Sequence, residues 1–424
     1  MTEKRVFLFR SMASVIDQAL LSGLNLLIGL ALIRYASKET YGLYAQLFAA
    51  GLLTTTLLDA LIGTALTTLS TRLASGDRTG FVARVARIYW AVAALLAVTA
   101  GMVLGAVAEW LDLPSSPMVL GLAFAAYTFA QACRQYCRTA LFIEFNANAV
   151  VKMDLVFVLA TVAGSLALYL VQDVGTHHIF FLLALANGVA SLAASVSLWR
   201  SVDQATARRQ YREDGELLWS LSRWAVIGSV VGWLGNNSYL YFSGALVSVA
   251  ALADLSAARL LLMPVVIVGT AWVTLALPAM GYMIANSEEA KIRRFVLTST
   301  LAMEVLTLVY VGALWAAFPW LVAHVFGGKY NDITHLMLLW GGYFMVHNAR
   351  NVTTVLLTSY GAFRELFWQG VLSLIILLAA TLSLAPTWGV AGALAAMVLV
   401  ELWELGVNYA YMLPRARRQH LALH

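Results

Sequence analysis

The residues of this sequence that could do chemistry are ionisable side chains embedded in long apolar runs. Glu304, His347, Arg350 and Glu401 fall near the middle of such runs, and Asp17, Asp59, Arg134, Arg259 and Glu404 fall off-centre. A charge at membrane depth costs a few kcal/mol or more, so each is expected to face a bundle interior or a water-filled cavity. Arg350 follows His347 by three residues with Asn348 beside it, which makes one polar patch on a helix face. A forked, permanently charged guanidinium suits a pyrophosphate or an acidic sugar. It suits an internal ion pair with Glu304, Glu401 or Glu404 equally well, and spacing does not choose between the two. Arg259 carries the same two readings, with Asp254, five residues away, as an imperfect partner.

Glu401 and Glu404 share one helix face, and neighbouring carboxylates can hold a proton between them. That arrangement, like the lone Glu304, suits ion coupling; capping of or pairing with a neighbouring helix is the alternative. Arg134 and Arg138 occupy one face near a helix end. Arg138 is expected to snorkel to headgroups, and Arg134 either does the same or lines the mouth of a cavity. The candidate substrate-binding set is therefore Arg259, Arg350, His347, Arg134, Asp17 and Asp59, and the ion-coupling set is Glu304, Glu401 and Glu404.

Other constellations are weak. His177 and His178 near Asp173 lack a fourth metal ligand, and Cys133 and Cys137 share a helix face without partners, as packing residues do. The Gly-rich loop ending in Lys-Ser or Lys-Thr that cradles ATP phosphates is absent, and no cofactor is expected.

The elements that must position these side chains follow from composition. Of 424 residues 61% are apolar and 12% charged, and the mean hydropathy is +0.79; a soluble domain carries roughly a quarter charged residues. Apolar stretches of membrane-spanning length recur throughout, and their unbroken Leu, Ala and Val runs lack the alternation of a β-barrel. Twelve helices are predicted, over 11–33, 42–68, 86–107, 118–142, 150–171, 179–199, 218–246, 250–277, 294–316, 334–358, 366–384 and 389–412. The first resembles a signal sequence but no small-residue cleavage site follows, so it is read as retained.

Of 27 basic residues, 22 fall in connections on one side and only Arg34, Lys38 and Lys329 on the other. Positively charged loops stay cytoplasmic, which places both termini inside and explains the basic pI without nucleic acid. The longest polar stretch, 200–217, divides the chain into a six-helix lobe over 1–199 and a second over 218–424. Two halves that enter the membrane from the same side would be related as a parallel repeat. Pro264 and the glycines Gly228, Gly232 and Gly235 are where bending is expected.

Arg34, the run Lys38-Glu39-Thr40-Tyr41-Gly42-Leu43-Tyr44, and Asp59 with Gly63 resemble the first two helices of the polysaccharide transporters of the multidrug/oligosaccharidyl-lipid/polysaccharide exporter superfamily, the Wzx-type flippases. Leu277-Pro278, Phe326-Gly327-Gly328-Lys329-Tyr330 and Gly389-Val390-Ala391-Gly392-Ala393 fall in the same order as recurring features of that family, while Ala253-Asp254-Leu255 departs from it. The resemblance implies an all-α polytopic fold of two six-helix lobes around a central cavity that opens alternately inward and outward. It implies a polyprenyl-pyrophosphate-linked oligosaccharide as cargo, moved to the outer leaflet for capsule, exopolysaccharide or O-antigen assembly, with a polymerase and glycosyltransferases as partners. A drug or peptidoglycan-precursor exporter would share the architecture. A membrane polymerase or ligase would need catalytic groups on a long external loop, and the longest external segment, Pro319 to Thr334, offers only His324, Lys329 and Asp332.

Overall fold

The computed structural model describes residues 20–71, 73, 75–110, 116–144, 146–171, 175–200 and 207–423. Asp17, Asp173 and the first nine residues of the first predicted helix lie outside that set.

Among the described residues the chain forms twelve helical rods and no strands. They are α1 (Leu20–Tyr35), α2 (Lys38–Ser70), α3 (Ser75–Trp110), α4 (Pro117–Ile143), α5 (Ala147–Val171) and α6 (Thr176–Arg200). Then follow α7 (Ala207–Leu246), α8 (Val249–Leu261 and Met263–Ala285), α9 (Glu289–His324) and α10 (Thr334–Ser359). The stretch Phe363–Val407 is divided at Gly389, whose φ of 61° and ψ of −145° are not helical. Residues 363–388 are α11, and α12 runs from there through Asn408–Met412 to Leu423. Only glycine adopts that conformation without strain, so the expected opening of the twelfth helix at Gly389 has a physical cause.

Several predicted boundaries move. The third helix starts eleven residues before its predicted position and the ninth five, because the polar ends of α3 and α9 extend beyond the apolar run. Leu277-Pro278 was expected to end the eighth helix, but α8 continues to Ala285 with Pro278 inside it. The break in α8 lies instead at Leu262 (φ −95°, ψ 5°), immediately before Met263-Pro264. Pro264 has no N–H to offer the carbonyl of Leu260 and so opens the second segment.

Contacts divide the chain into two compact units, one containing Gln46–Val230 and the other Ile28–Ala45 with Val231–His424. Residues 207–217, within the stretch read as a linker, are helical and held in the first unit. Arg84 Nε lies 2.8 Å from Asp214 Oδ2, Tyr211 packs on Ala83, and Leu218 joins a core of Leu58, Leu66, Tyr89 and Tyr136. In the same unit α3 and α4 approach closely: a Cβ on Gly101 would stand 2.6 Å from the Gly121 carbonyl oxygen. Small residues permit such backbone approach in membrane bundles.

Among the described residues seven helical stretches are apolar and long enough to cross a membrane on those grounds alone. α4 and α10 fall short of that measure, and they carry Arg134, Arg138, His347 and Arg350. Both are lined with buried residues, including Tyr127, Tyr136, Trp340 and Asn348. α9 shows the opposite pattern, with Leu297, Leu301, Val305, Leu308 and Val309 exposed as a lipid-facing surface. Helices shielded by neighbours can afford the polar side chains that lipid-facing ones cannot.

Candidate functional site

α10 places Tyr343, His347 and Arg350 at intervals of three and four residues, hence on one face. α12 presents Glu401 and Glu404 to that face. Arg350 Nε lies 2.7 Å from Glu401 Oε2 and Nη2 lies 3.0 Å from Oε1, a two-pronged pair, and Nε is 3.2 Å from Glu404 Oε2. Tyr343 Oη donates to Glu401 Oε1 at 3.2 Å. His347 Nδ1 stands 2.8 Å from Glu401 Oε1 and 3.1 Å from Arg350 Nη2, and its tautomer decides whether it donates to the first or accepts from the second.

The network continues outward from Glu404. Ser373 on α11 donates to its carboxylate, and Gln369 Nε2 donates to Asn408 Oδ1 at 2.9 Å. Asn408 Nδ2 in turn donates to Thr353 Oγ1 at 2.8 Å. Asn408 opens a π turn, Asn408–Met412, in α12, and is fully buried. Such single-turn insertions recur at functional sites. The cluster borders a cavity of about 160 Å³ whose lining includes Arg350, Glu401, Glu404, Tyr343, Ser373 and Asn236. Gly232 and Gly235 of α7, expected as bending points, lie on its wall with open space where a side chain would go.

Arg259 is arranged differently. It sits three residues before the break in α8, in the last turn of the first segment, where the helix dipole favours a cation. Its Nη1 donates to Tyr239 Oη at 2.7 Å, and the guanidinium carbon lies 5.5 Å from the Tyr239 ring centre and 5.4 Å from that of Trp340. Nε is buried without a hydrogen-bond partner. Asp254, the partner considered from sequence, is instead 2.6 Å from Lys38 Nζ. Among the described residues Arg259 has no acidic partner, whereas Arg134, Arg138 and Arg350 all have one. An aromatic row joins the two arginine sites: Tyr239 and Trp340 are 5.5 Å apart, Trp340 and Tyr343 5.2 Å, and Tyr343 and His347 5.5 Å.

The first unit holds a second charged cluster. Arg134 pairs with Asp154 Oδ1, and Arg138 Nε lies 2.8 Å from Asp154 Oδ2, with the Asp154 side chain fully buried. Arg134 Nε also donates to Asn187 Oδ1 at 2.7 Å, and its guanidinium lies over the Phe157 ring. Arg138, expected to snorkel, is thus drawn into the bundle by Asp154. Asp59 begins a π turn in α2, Asp59–Gly63, and accepts from Gln135 Nε2 at 3.4 Å. Glu304 on α9 has both carboxylate oxygens buried without a hydrogen-bond partner. The structure therefore brings His347, Arg350, Glu401 and Glu404 together, and leaves Glu304 outside that network.

Sequence reasoning passed over Asp154, Asn187, Tyr239 and Ser373. Asp154 left a signal, since it is an acidic residue inside a predicted span with two arginines on the preceding helix. Tyr239 left none, because its role depends on packing against α8 and α10. The rings of His177 and His178 lie 4.0 Å apart, tilted by 41°, and no group of three metal-ligating side chains occurs among the described residues. Cys137 Sγ lies 3.3 Å from Ser195 Oγ inside the first unit's packing.

The motif residues of the two chain halves meet in the second unit. Arg34 donates to the carbonyl of His324 at the end of α9, and Lys329 Nζ donates to that of Ala36 at 3.1 Å. Lys38 Nζ lies 4.8 Å from the Tyr330 ring centre while pairing with Asp254. Gly327 and Gly328 have φ of 61° and 79°, so this turn needs its glycines. These contacts place the connections after α1, α7 and α9 at one end of the unit.

No protein-family model matches the chain, and no curated protein matches it in sequence. Solved structures match in fold. A lipid II flippase, MurJ, in an inward closed conformation matches with a TM-score of 0.70 at 10% identity, covering 95% of this chain and 86% of that one. An inward-facing multidrug resistance transporter of the MATE family in the MOP superfamily matches with a TM-score of 0.69 at 14% identity, covering 94% of each chain. A MOP superfamily transporter from Pyrococcus furiosus, described by a reversed polarity of its binding pocket, matches with a TM-score of 0.63 at 14% identity over 99% of this chain and 96% of that one. The chain is a polytopic, all-α membrane protein with the twelve-helix fold of MOP superfamily transporters.

Proposed function

We propose that this protein is a flippase that moves a polyprenyl-pyrophosphate-linked oligosaccharide from the inner to the outer leaflet of a bacterial cytoplasmic membrane, with Arg259 as the anchor for the pyrophosphate. The observation that carries this reading is the state of the buried arginines. Three of them pair with carboxylates, Arg134 and Arg138 sharing Asp154, and among the described residues Arg259 is held only by a phenol and two aromatic faces. Desolvating a cation without a counter-charge is costly, and an anionic headgroup arriving from the membrane supplies that charge. The Arg350, Glu401 and Glu404 cluster stands one aromatic row away and holds one more carboxylate than guanidinium. Glu304, a carboxylate with no hydrogen-bond partner among the described residues, is the ion-coupling residue in this reading.

No bond changes in such a process, so no acid, base or nucleophile is required. Movement comes from a site that opens alternately to the two sides, which needs a ligand with different affinities for the two states. Both termini are cytoplasmic in this scheme, and the glycan is assembled by glycosyltransferases inside and extended by a polymerase outside.

A second reading, export of a cationic drug, is favoured by the surplus carboxylate beside the 160 Å³ cavity. Liposomes containing the purified protein separate the two. A flippase delivers the lipid-linked oligosaccharide to an external lectin with its glycan unchanged, and Arg259→Ala abolishes that delivery. Efflux of a cationic dye with no lipid movement supports the second reading. Lengthening, cleavage or transfer of the glycan by the purified protein overturns both.

A further inference from the structure

At the end of the second unit opposite Arg34, three helices leave a groove of about 780 Å³. Its floor is apolar, formed by Val296 and Leu297 of α9, Leu356 of α10 and Leu413 of α12, and its rim is strongly basic. Arg417 is paired with Glu289 across the groove. Arg293, Arg294 and Arg418 have no ion-pair or hydrogen-bonding partner for their guanidinium groups among the described residues, so the groove carries a net charge of +3. The π turn Asn408–Met412 adds a residue to α12 just before this stretch, turning Leu413 inward and leaving the arginines on the rim.

We propose that this groove is a binding site for an anionic phospholipid of the surrounding bilayer, its acyl chain lying along Val296, Leu297, Leu356 and Leu413 and its phosphate held by Arg293, Arg294 and Arg418. The volume lies in the range of roughly 300–1,000 Å³ typical of small-molecule sites. Basic pockets between helices at a membrane face recognise acidic headgroups. Tyr360 and Tyr409 border the groove, and tyrosine is enriched at membrane–water interfaces. A soluble phosphate would not need the apolar floor. A glycan would need hydroxyl-reading groups, and besides the arginines and Glu289 the lining offers only Thr300 and the two tyrosines. The lipid would tie the start of α9 to the end of α12 from outside. The site is independent of the cargo assigned above.

Native mass spectrometry of the full-length, delipidated protein with added phosphatidylglycerol or phosphatidylcholine tests it. The wild type should retain phosphatidylglycerol at least tenfold better than phosphatidylcholine. Arg293→Gln, Arg294→Gln and Arg418→Gln combined should remove that preference, and the positions are exposed, so an unchanged melting temperature without lipid is expected. Leu297→Trp should weaken phosphatidylglycerol binding with every charge intact, which general surface attraction would not do. Equal retention of the two lipids, unchanged binding in the triple variant, or unchanged binding in Leu297→Trp overturns the proposal. Displacement of phosphatidylglycerol by an equimolar polyprenyl phosphate overturns the choice of occupant.

Discussion

Arg350 on α10 and Glu401 on α12 form a two-pronged ion pair, with N···O distances of 2.7 and 3.0 Å, between helices whose pairing residues are 51 positions apart. Both side chains are largely buried, at 17% and 10% exposure. Removing Arg350 strands Glu401 and Glu404 together, whereas removing Glu401 leaves Arg350 paired with Glu404. Arg350→Met should therefore destabilise the protein by about 3–5 kcal/mol, the range for breaking a buried pair, and Glu401→Leu by less. Replacing both with apolar residues of similar size, Arg350→Met with Glu401→Leu, should recover part of that loss, because Glu404 stays buried without its guanidinium. Thermal unfolding in detergent of the wild type, both single variants and the double variant measures the coupling. Simple additivity of the two single losses would show that the pair does not act as a unit.

Gly42 in the Tyr-Gly-x-Tyr run tests how the two ends of the sequence meet. A Cβ there would stand 2.3 Å from the backbone oxygen of Val249, at the start of α8. Backbone cannot yield as a flexible side chain can, so Gly42→Ala should lower the melting temperature by several degrees, and Gly42→Val should lower it further. Gly23, with open space around it, is the control: Gly23→Ala should change the melting temperature little.

Topology follows from charge. Alkaline phosphatase matures only outside the cytoplasm, so a fusion after Gln204 should be inactive and one after Lys329 active. The reverse pattern would overturn the orientation drawn from the 22-to-3 bias of basic residues.

The helices were legible in the sequence because lipid imposes the apolar runs directly, and the twelve rods correspond in order to the twelve predicted spans. Their ends were less legible. Ser75–Phe81 and Ala207–Glu216 are helical though polar, since outside the hydrocarbon a helix needs no apolar sequence. The charges at depth were also visible, but their partners were not. Lys38 and Asp254 are 216 positions apart, and nothing local distinguishes Asp254 facing Lys38 from Asp254 facing Arg259. Only folding reveals that Glu404 meets Arg350 while Glu304 meets no hydrogen-bonding group among the described residues. The motif residues Arg34, Gly42 and Lys329 stood out as a pattern, and their physical reason is that they converge on one end of the second unit.

The sharpest functional test concerns Arg259, because its environment separates a cation kept for structure from one kept for a ligand. Arg259 Nη1 is 2.7 Å from Tyr239 Oη and has no carboxylate, so removing the charge leaves no buried anion uncompensated. Arg259→Gln should therefore fold with a melting temperature within a few degrees of wild type, in contrast to Arg350→Met. Transport of a lipid-linked pyrophosphate should nonetheless fall at least tenfold, a loss of about 1.4 kcal/mol of interaction. Arg259→Lys should restore transport only in part, because an ammonium keeps the charge but loses the planar fork and the stacking on Trp340. Tyr239→Phe, which removes the hydroxyl but keeps the ring, should have a smaller effect than either. Raising the salt concentration should change the wild-type rate little, since a buried pair is screened far less than an exposed one. Measured in liposomes with each variant at equal density, this order of activities is specific to an anion anchor. If Arg259→Gln transports normally, Arg259 is a packing residue on its aromatic neighbours, and the pyrophosphate reading loses the observation on which it stands.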